Sequence, residues 1–174
     1  MKIIISLVAI GLAATAMPAA AEVKSLSPSH FEVEKRIVAP VAPEAAYQML
    51  GQVSRWWDPN HTYSGNASNL RLDLKAGGCL CETIPEGSGT VEHLRVVFAR
   101  PGILLRAQGG LGPLQGEAVA GTLTWSFKPV AGGTEVTQTY IVSGHIRSGT
   151  ADMAPAVDAM LGEQLSRLEK RLAS

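Results

Sequence analysis

An α+β fold is predicted for this chain: an antiparallel sheet of about seven strands packed against one long C-terminal helix. Three observations predict it. Apolar residues alternate with polar ones in a series of segments between residues 70 and 142, separated by short Gly/Pro turns. One helical segment precedes the series, at Pro43 to Trp57. Ala154, Val157, Leu161, Leu165, Leu168 and Leu172 then recur at spacings of three and four, the strongest periodic signal in the chain.

Ahead of the fold, Met1-Lys2 is followed by an apolar run from Ile3 to Ala16, then Pro18 and Ala19-Ala20-Ala21. This pattern is a secretory signal peptide with cleavage after Ala21. The run is shorter than the ~20 residues a membrane span needs, and no later segment reads as a span. Of 174 residues, 153 remain after residues 1–21 are removed, enough for one domain with a core. Lys2 leaves with the signal, so 14 basic residues face 15 acidic ones, without a basic stripe. Nucleic-acid binding lacks its electrostatic footprint. An exported protein, periplasmic or secreted, is expected. Residues 22–30 read as a short leader and residues 31–174 as the domain.

Phe31, Val33 and Ile37 share one parity of a strand that Pro40 ends. Pro43-Glu44 suits a helix first turn. Ala46, Tyr47, Leu50, Val53 and Trp57 form its buried stripe, and Asp58-Pro59 stops it. On that wheel Trp57 plugs the core and Trp56 points about 100° away. Leu70, Leu72 and Leu74 mark the next strand, Gly77-Gly78 a turn, and Cys79 to Ile84 the return. Thr90 to Arg100 follows with Leu94, Val96 and Phe98 on one face, then Ile103 to Gln108. Gly109 to Gly116 is a glycine-rich loop. Val119, Gly121, Leu123, Trp125 and Phe127 share a parity, as do Val136, Gln138, Tyr140 and Val142. Short turns imply an antiparallel meander. Asp152 reads as the N-cap of the last helix, with Pro155 in its first turn. Small residues such as Ala107, Ala118, Ala120 and Gly121 suggest space between sheet and helix.

Strand, helix, six strands and a long amphipathic helix resemble the helix-grip fold of the SRPBCC superfamily, which includes START-related lipid-transfer domains, birch-pollen-allergen-like proteins and the polyketide cyclase/dehydrase group. The residues that carry the resemblance begin with Ile37-Val38-Ala39-Pro40, Pro43-Glu44-Ala45-Ala46-Tyr47 and Val53 to Trp57. Leu72-Asp73-Leu74-Lys75-Ala76-Gly77-Gly78, Gly133-Thr134-Glu135-Val136-Thr137 and the Val157 to Leu172 helix complete it, over residues 31–172. The resemblance implies a hydrophobic or amphipathic ligand, lipid- or isoprenoid-like, between sheet and terminal helix, with a minority of members being enzymes. An export signal departs from the usual cytosolic members.

Chemistry-bearing residues fall into four groups. Three of the nine aromatics lie within Trp56 to Tyr63; the resemblance places Trp56, His61 and Tyr63 at the cavity entrance. Cys79-Leu80-Cys81 leaves three states open: two reduced thiols, a disulfide helped by a bulge, or a metal site. C-x-x-C and H-E-x-x-H spacings are absent, so no metal is expected. Glu92 and His93 have opposite parities, so one faces inward, where it would serve as acid or base or as a hydrogen-bonded structural group. Cys81, Glu82, Trp125, Gln138 and Tyr140 are further candidates to line the cavity and orient a ligand's polar end. Leu111 and Leu114 sit on the glycine-rich loop as a gate or as plain packing.

The sequence reading is therefore an exported, cofactor-free binding protein for a hydrophobic small molecule or lipid. Two alternatives stand beside it: a cyclase/dehydratase- or hydrolase-like enzyme using Glu92 or His93, and an interaction protein with a filled core.

Overall fold

In the computed structural model, residues 22–87 and 89–174 are described. The segment read as a signal peptide, 1–21, lies outside the described residues.

The strands are β1 (Glu22–Ser27), β2 (His30–Ala39), β3 (Leu70–Leu72), β4 (Cys79–Ile84), β5 (Gly89–Arg100), β6 (Leu104–Gln108), β7 (Ala118–Val130) and β8 (Gly133–His145). Helix α1 spans Pro43–Gly51 and α2 spans Thr150–Leu172. All eight strands form one antiparallel sheet in the order β1-β2-β8-β7-β6-β5-β4-β3. The eighth strand is β1. It occupies the segment read as a leader and pairs with β2, from Val23 opposite Val33 to Ser27 opposite His30.

Helix α2 lies against β2 and β1. Its six-residue apolar stripe is buried throughout. It starts earlier than Asp152: Gly149 precedes it with φ 85°, and Thr150 Oγ1 donates to Ser27 O at 2.6 Å, tying the helix start to the end of β1. Two polar links fasten α2 to the sheet. Lys35 Nζ meets Asp158 Oδ2 at 2.8 Å, both buried. Gln138 Nε2 donates to Leu161 O at 3.1 Å and its Oε1 accepts from Trp125 Nε1 at 2.8 Å. The interior is filled by Trp125, Tyr47, Tyr140, Phe31 and leucines. Ala118 and Ala120 lie on the outer, exposed face and do not open space inside.

Helix α1 is shorter than its stripe. A side chain at Gly51 would press on Leu74 Cδ1 at 2.7 Å, so the helix end and the β3 extension approach through a glycine. Gln52 then leaves the helix at φ −84°, ψ 48°, and Val53–Arg55 forms a 3₁₀ turn. This change of pitch re-aims both tryptophans.

Two bulges alter β5. Leu80 pairs with Leu94 but Cys81 pairs with Glu92, leaving His93 as the extra residue. The second shift, between Val96 and Phe98, turns Phe98 outward, where it is 46% exposed, against the inward parity expected of it.

Candidate functional site

The bulge at His93 decides which member of the Glu92/His93 pair faces inward. In a regular strand, Leu94 inward forces His93 outward. With one extra residue, His93 and Leu94 both point in and are buried, while Glu92 turns out and pairs with Arg95. Glu82 on β4 is fully buried beside His93.

A buried carboxylate needs donors. Glu82 Oε2 accepts from His93 Nε2 at 2.9 Å and from Tyr63 N at 3.1 Å, and Oε1 accepts from Ser64 N at 2.5 Å. Burial alone would raise the Glu82 carboxyl pKa. The hydrogen bonds from Ser64, Tyr63 and His93 outweigh it and hold the group below the usual carboxylate range. Glu82 is thus an ionised acceptor, and the proton between the pair sits on His93 Nε2. That fixes the tautomer of the neutral imidazole. His93 Nδ1 finds no hydrogen-bond partner among the described residues and keeps solvent contact. Tyr63 stacks on the imidazole with ring centroids 5.7 Å apart, and its hydroxyl donates to Gly112 O and Gln115 Oε1.

His93 opens into a pocket of about 560 Å³ at one end of the sheet–helix interface. One wall is the loop after α1: Trp57, Asn60, His61, Thr62 and Tyr63. A second is Leu111, Gly112 and Pro113 of the glycine-rich loop. The third is the first half of α2, through Met153, Ala156, Val157 and Met160. A second, more open groove lies across the Tyr63–His93 stack, against Glu92, Gln108 and Gln115.

Each wall is braced. Gln164 on α2 is fully buried; its Oε1 accepts from Asp58 N and its Nε2 donates to His61 Nδ1, both at 2.8 Å. Asp58 caps Asn60 N at 2.9 Å and also pairs with Arg167. The Asn60 backbone bond lowers the Asp58 carboxyl pKa against the effect of burial, helped by Glu163 and Arg167. On the glycine-rich loop, Tyr140 Oη donates to Gly109 O at 2.8 Å and accepts from Leu111 N at 3.1 Å. Burial pushes the Tyr140 phenol up to about 12. This phenol fits only beside a residue without a side chain: a Cβ at Gly121 would lie 2.4 Å from it.

The sequence-predicted residues divide accordingly. His61, Tyr63, His93 and Leu111 line the pocket. Glu82 stands directly behind it, bonded to His93. Trp125, Gln138 and Tyr140 are not brought to it, because their polar atoms are satisfied inside the core. Leu114 packs beneath the loop, 1% exposed. Trp56, expected at the rim, is buried in the core, while Trp57 is buried as expected and also reaches the pocket. Trp56 is the core plug, with Nε1 donating to Met49 O and Leu50 O, while Trp57 faces the pocket and donates to His61 O at 2.9 Å. The helical wheel fails there because the chain is no longer α-helical. Met153 and Met160 escaped sequence reasoning altogether, since their helical face is only half-buried.

Cys79 and Cys81 form a disulfide, which removes the reduced-thiol alternative and occupies both sulfurs. Arg71 Nη2 approaches Cys79 Sγ at 3.4 Å. Asp58, His61 and Glu163 bring ligand atoms within 4.8 Å of one another. Arg167 and Gln164 already engage all three of these residues, so the set is a poor cation site.

Comparison with solved structures identifies the architecture. An uncharacterized protein from Rhizobium leguminosarum superposes with a TM-score of 0.60 at 18% identity, over 90% of this chain and 98% of that one. The Aha1 dimer from Colwellia psychrerythraea matches at 0.52 and 18% identity, over 81% and 95%. The di-domain ARO/CYC protein StfQ from the steffimycin biosynthetic pathway matches at 0.53 and 16% identity, over 82% of this chain and 50% of that one. The chain has the helix-grip fold. At these identities the likeness concerns the fold alone. No protein-family profile and no curated protein sequence matches the chain.

Within this helix-grip frame the pocket sits at the mouth between the gripping sheet and the gripped helix. Among the described residues no helix is long and apolar enough to cross a membrane.

Proposed function

We propose that this helix-grip protein is an exported binding protein for a hydrophobic or amphipathic small molecule. One observation carries the reading: a pocket of about 560 Å³ with mostly apolar walls, into which a single buried, buttressed imidazole opens. Ligand sites generally combine an apolar lining with a few fixed polar groups, at volumes of roughly 300–1,000 Å³. Apolar walls contribute affinity at about 25 cal/mol per Å² removed from water. Met153 and Met160 adapt to irregular ligand shapes. Export rests on the N-terminal sequence, and the Cys79–Cys81 disulfide is chemically suited to an oxidising compartment.

The test is titration with a neutral apolar dye, N-phenyl-1-naphthylamine. One dye per protein is expected, with binding lost in Ala156→Trp. Residue 156 is solvent-exposed and lines the pocket, so the variant fills the site without disturbing the core. Absence of dye binding, or equal binding by the variant, would contradict the reading and favour an interaction protein with a filled core.

The Glu82–His93 pair also favours a second reading, an enzyme of the cyclase/dehydratase or hydrolase kind. A carboxylate-backed imidazole with one open nitrogen is the arrangement of a general base, and the structural neighbour StfQ carries an ARO/CYC name. His93→Gln abolishing turnover of a bound ligand while retaining its binding would establish that reading.

A further inference from the structure

Two imidazoles line the pocket, and the protein fixes the proton of each from behind. His93 Nε2 is committed to the ionised Glu82, so in the neutral ring the lone pair lies on Nδ1, which finds no partner among the described residues. His61 is set the other way. Gln164 Oε1 accepts from the Asp58 backbone N–H, which can only donate; the amide is thereby oriented, and Nε2 must donate to His61 Nδ1. Neutral His61 therefore carries its proton on Nε2, and this nitrogen finds no partner among the described residues. The two imidazoles thus offer one fixed acceptor and one fixed donor, beside the exposed Asn60 side-chain amide, which turns to do either.

The rest of the lining narrows the choice further. No Lys, Arg, Asp or Glu is among the residues that line this pocket. Thr62 Oγ1 is committed to Pro59 O, and the Tyr63 hydroxyl to Gly112 and Gln115. A carboxylate or phosphate head would meet no permanent cation, and an ammonium head no carboxylate. A hydroxyl matches, because it donates and accepts at once.

We propose that the pocket selects neutral, hydroxyl-bearing apolar molecules, alcohols or phenols. His93 Nδ1 accepts from the ligand hydroxyl, and His61 Nε2–H donates to its oxygen. The inference rests on the binding reading above and specifies its ligand class. Gln164 and Glu82 are positioning residues in this scheme: they set which ring nitrogen carries the proton.

Four probes with one chain length separate the contributions: farnesol, farnesyl methyl ether, farnesene and farnesoic acid. Each competes against N-phenyl-1-naphthylamine at one alkaline pH, where the acid probe is ionised. Farnesol is expected to displace the dye at about tenfold lower concentration than the ether, which has lost the donor. The ether is expected to outcompete the hydrocarbon, and the acid to bind more weakly than the alcohol. His93→Phe should erase the alcohol-over-ether step and leave the ether-over-hydrocarbon step. His61→Phe, at a solvent-exposed position, should do the reverse. Equal displacement by alcohol and ether in the unmodified protein overturns the proposal, as does acid binding at least as tight as alcohol binding. Survival of each step in its own variant also overturns it. Failure of the dye to bind at all removes the pocket reading itself, a result distinct from these.

Discussion

A carboxylate without solvent contact is tolerated at Glu82 because three N–H groups converge on it. Two come from the loop after α1, so the same side chain that orients His93 also pins Tyr63 and Ser64. The consequence for pH follows from its depressed pKa. Unfolded glutamate titrates near about 4.3; the folded group titrates lower. Its stabilisation is therefore complete above the unfolded value and is lost as pH falls through the folded one. Denaturant unfolding across an acid pH series should show this loss in the wild-type chain. The difference between wild type and Glu82→Gln should shrink over the same interval, and a constant difference would contradict the assignment. Tyr140→Phe tests the other anchor. Removing the hydroxyl leaves Gly109 O and Leu111 N without their partner, at a cost of about 1–3 kcal/mol in unfolding free energy. Part of this chemistry was legible in the sequence: one of Glu92 and His93 had to face inward. Which one was not legible, because a bulge is set by the pairing of β4 with β5 and leaves no local signature.

At the scale of elements, the helices and strands were largely written in periodicity. The α2 stripe needs no partner information, since an apolar residue every three or four positions has only one face to bury. Alternation likewise placed β7 and β8. The failures occur where regularity stops. The α1 stripe continued through Val53 and Trp57, and those residues are indeed buried, yet the helix ends at Gly51, where Leu74 leaves no room for a side chain. That contact joins segments far apart in sequence. The rim position of Trp56, read from a wheel extended past its helix, failed as a result, while Trp57 is buried as expected. Gln164 is the element-level counterpart of Glu82: it joins α2 to the rim through Asp58 N and His61. Gln164→Leu should destabilise the protein by about 1–3 kcal/mol. Hydrogen exchange should accelerate at residues 58–63 more than in the sheet; uniform acceleration would show that the glutamine serves only general packing.

For the molecule as a whole, large side chains occupy the space between the sheet and α2, and the pocket described above lies at one mouth. The expectation of a cavity between sheet and helix was thus right about the interface but too deep. Trp125, Gln138 and Tyr140, all inward-facing, occupy the interior rather than line a void. Parity reports the direction of a side chain, not whether anything stands in front of it. The disulfide is a local feature of this architecture. It closes a very short loop, so replacing both cysteines with alanine should cost only about 1–2 kcal/mol. Thermal unfolding of the double variant should remain cooperative; loss of the folded state would mean that the disulfide holds the β4–β5 pairing together. Native mass spectrometry shows whether the mouth of this helix-grip fold holds an apolar small molecule. The protein would be purified from its own source under native conditions, with its solvent extract analysed alongside. The account predicts a stoichiometric, neutral, hydroxyl-bearing compound bound to the native protein and absent from Ala156→Trp. Recovery of the same compound from both, or of none from either, would contradict it.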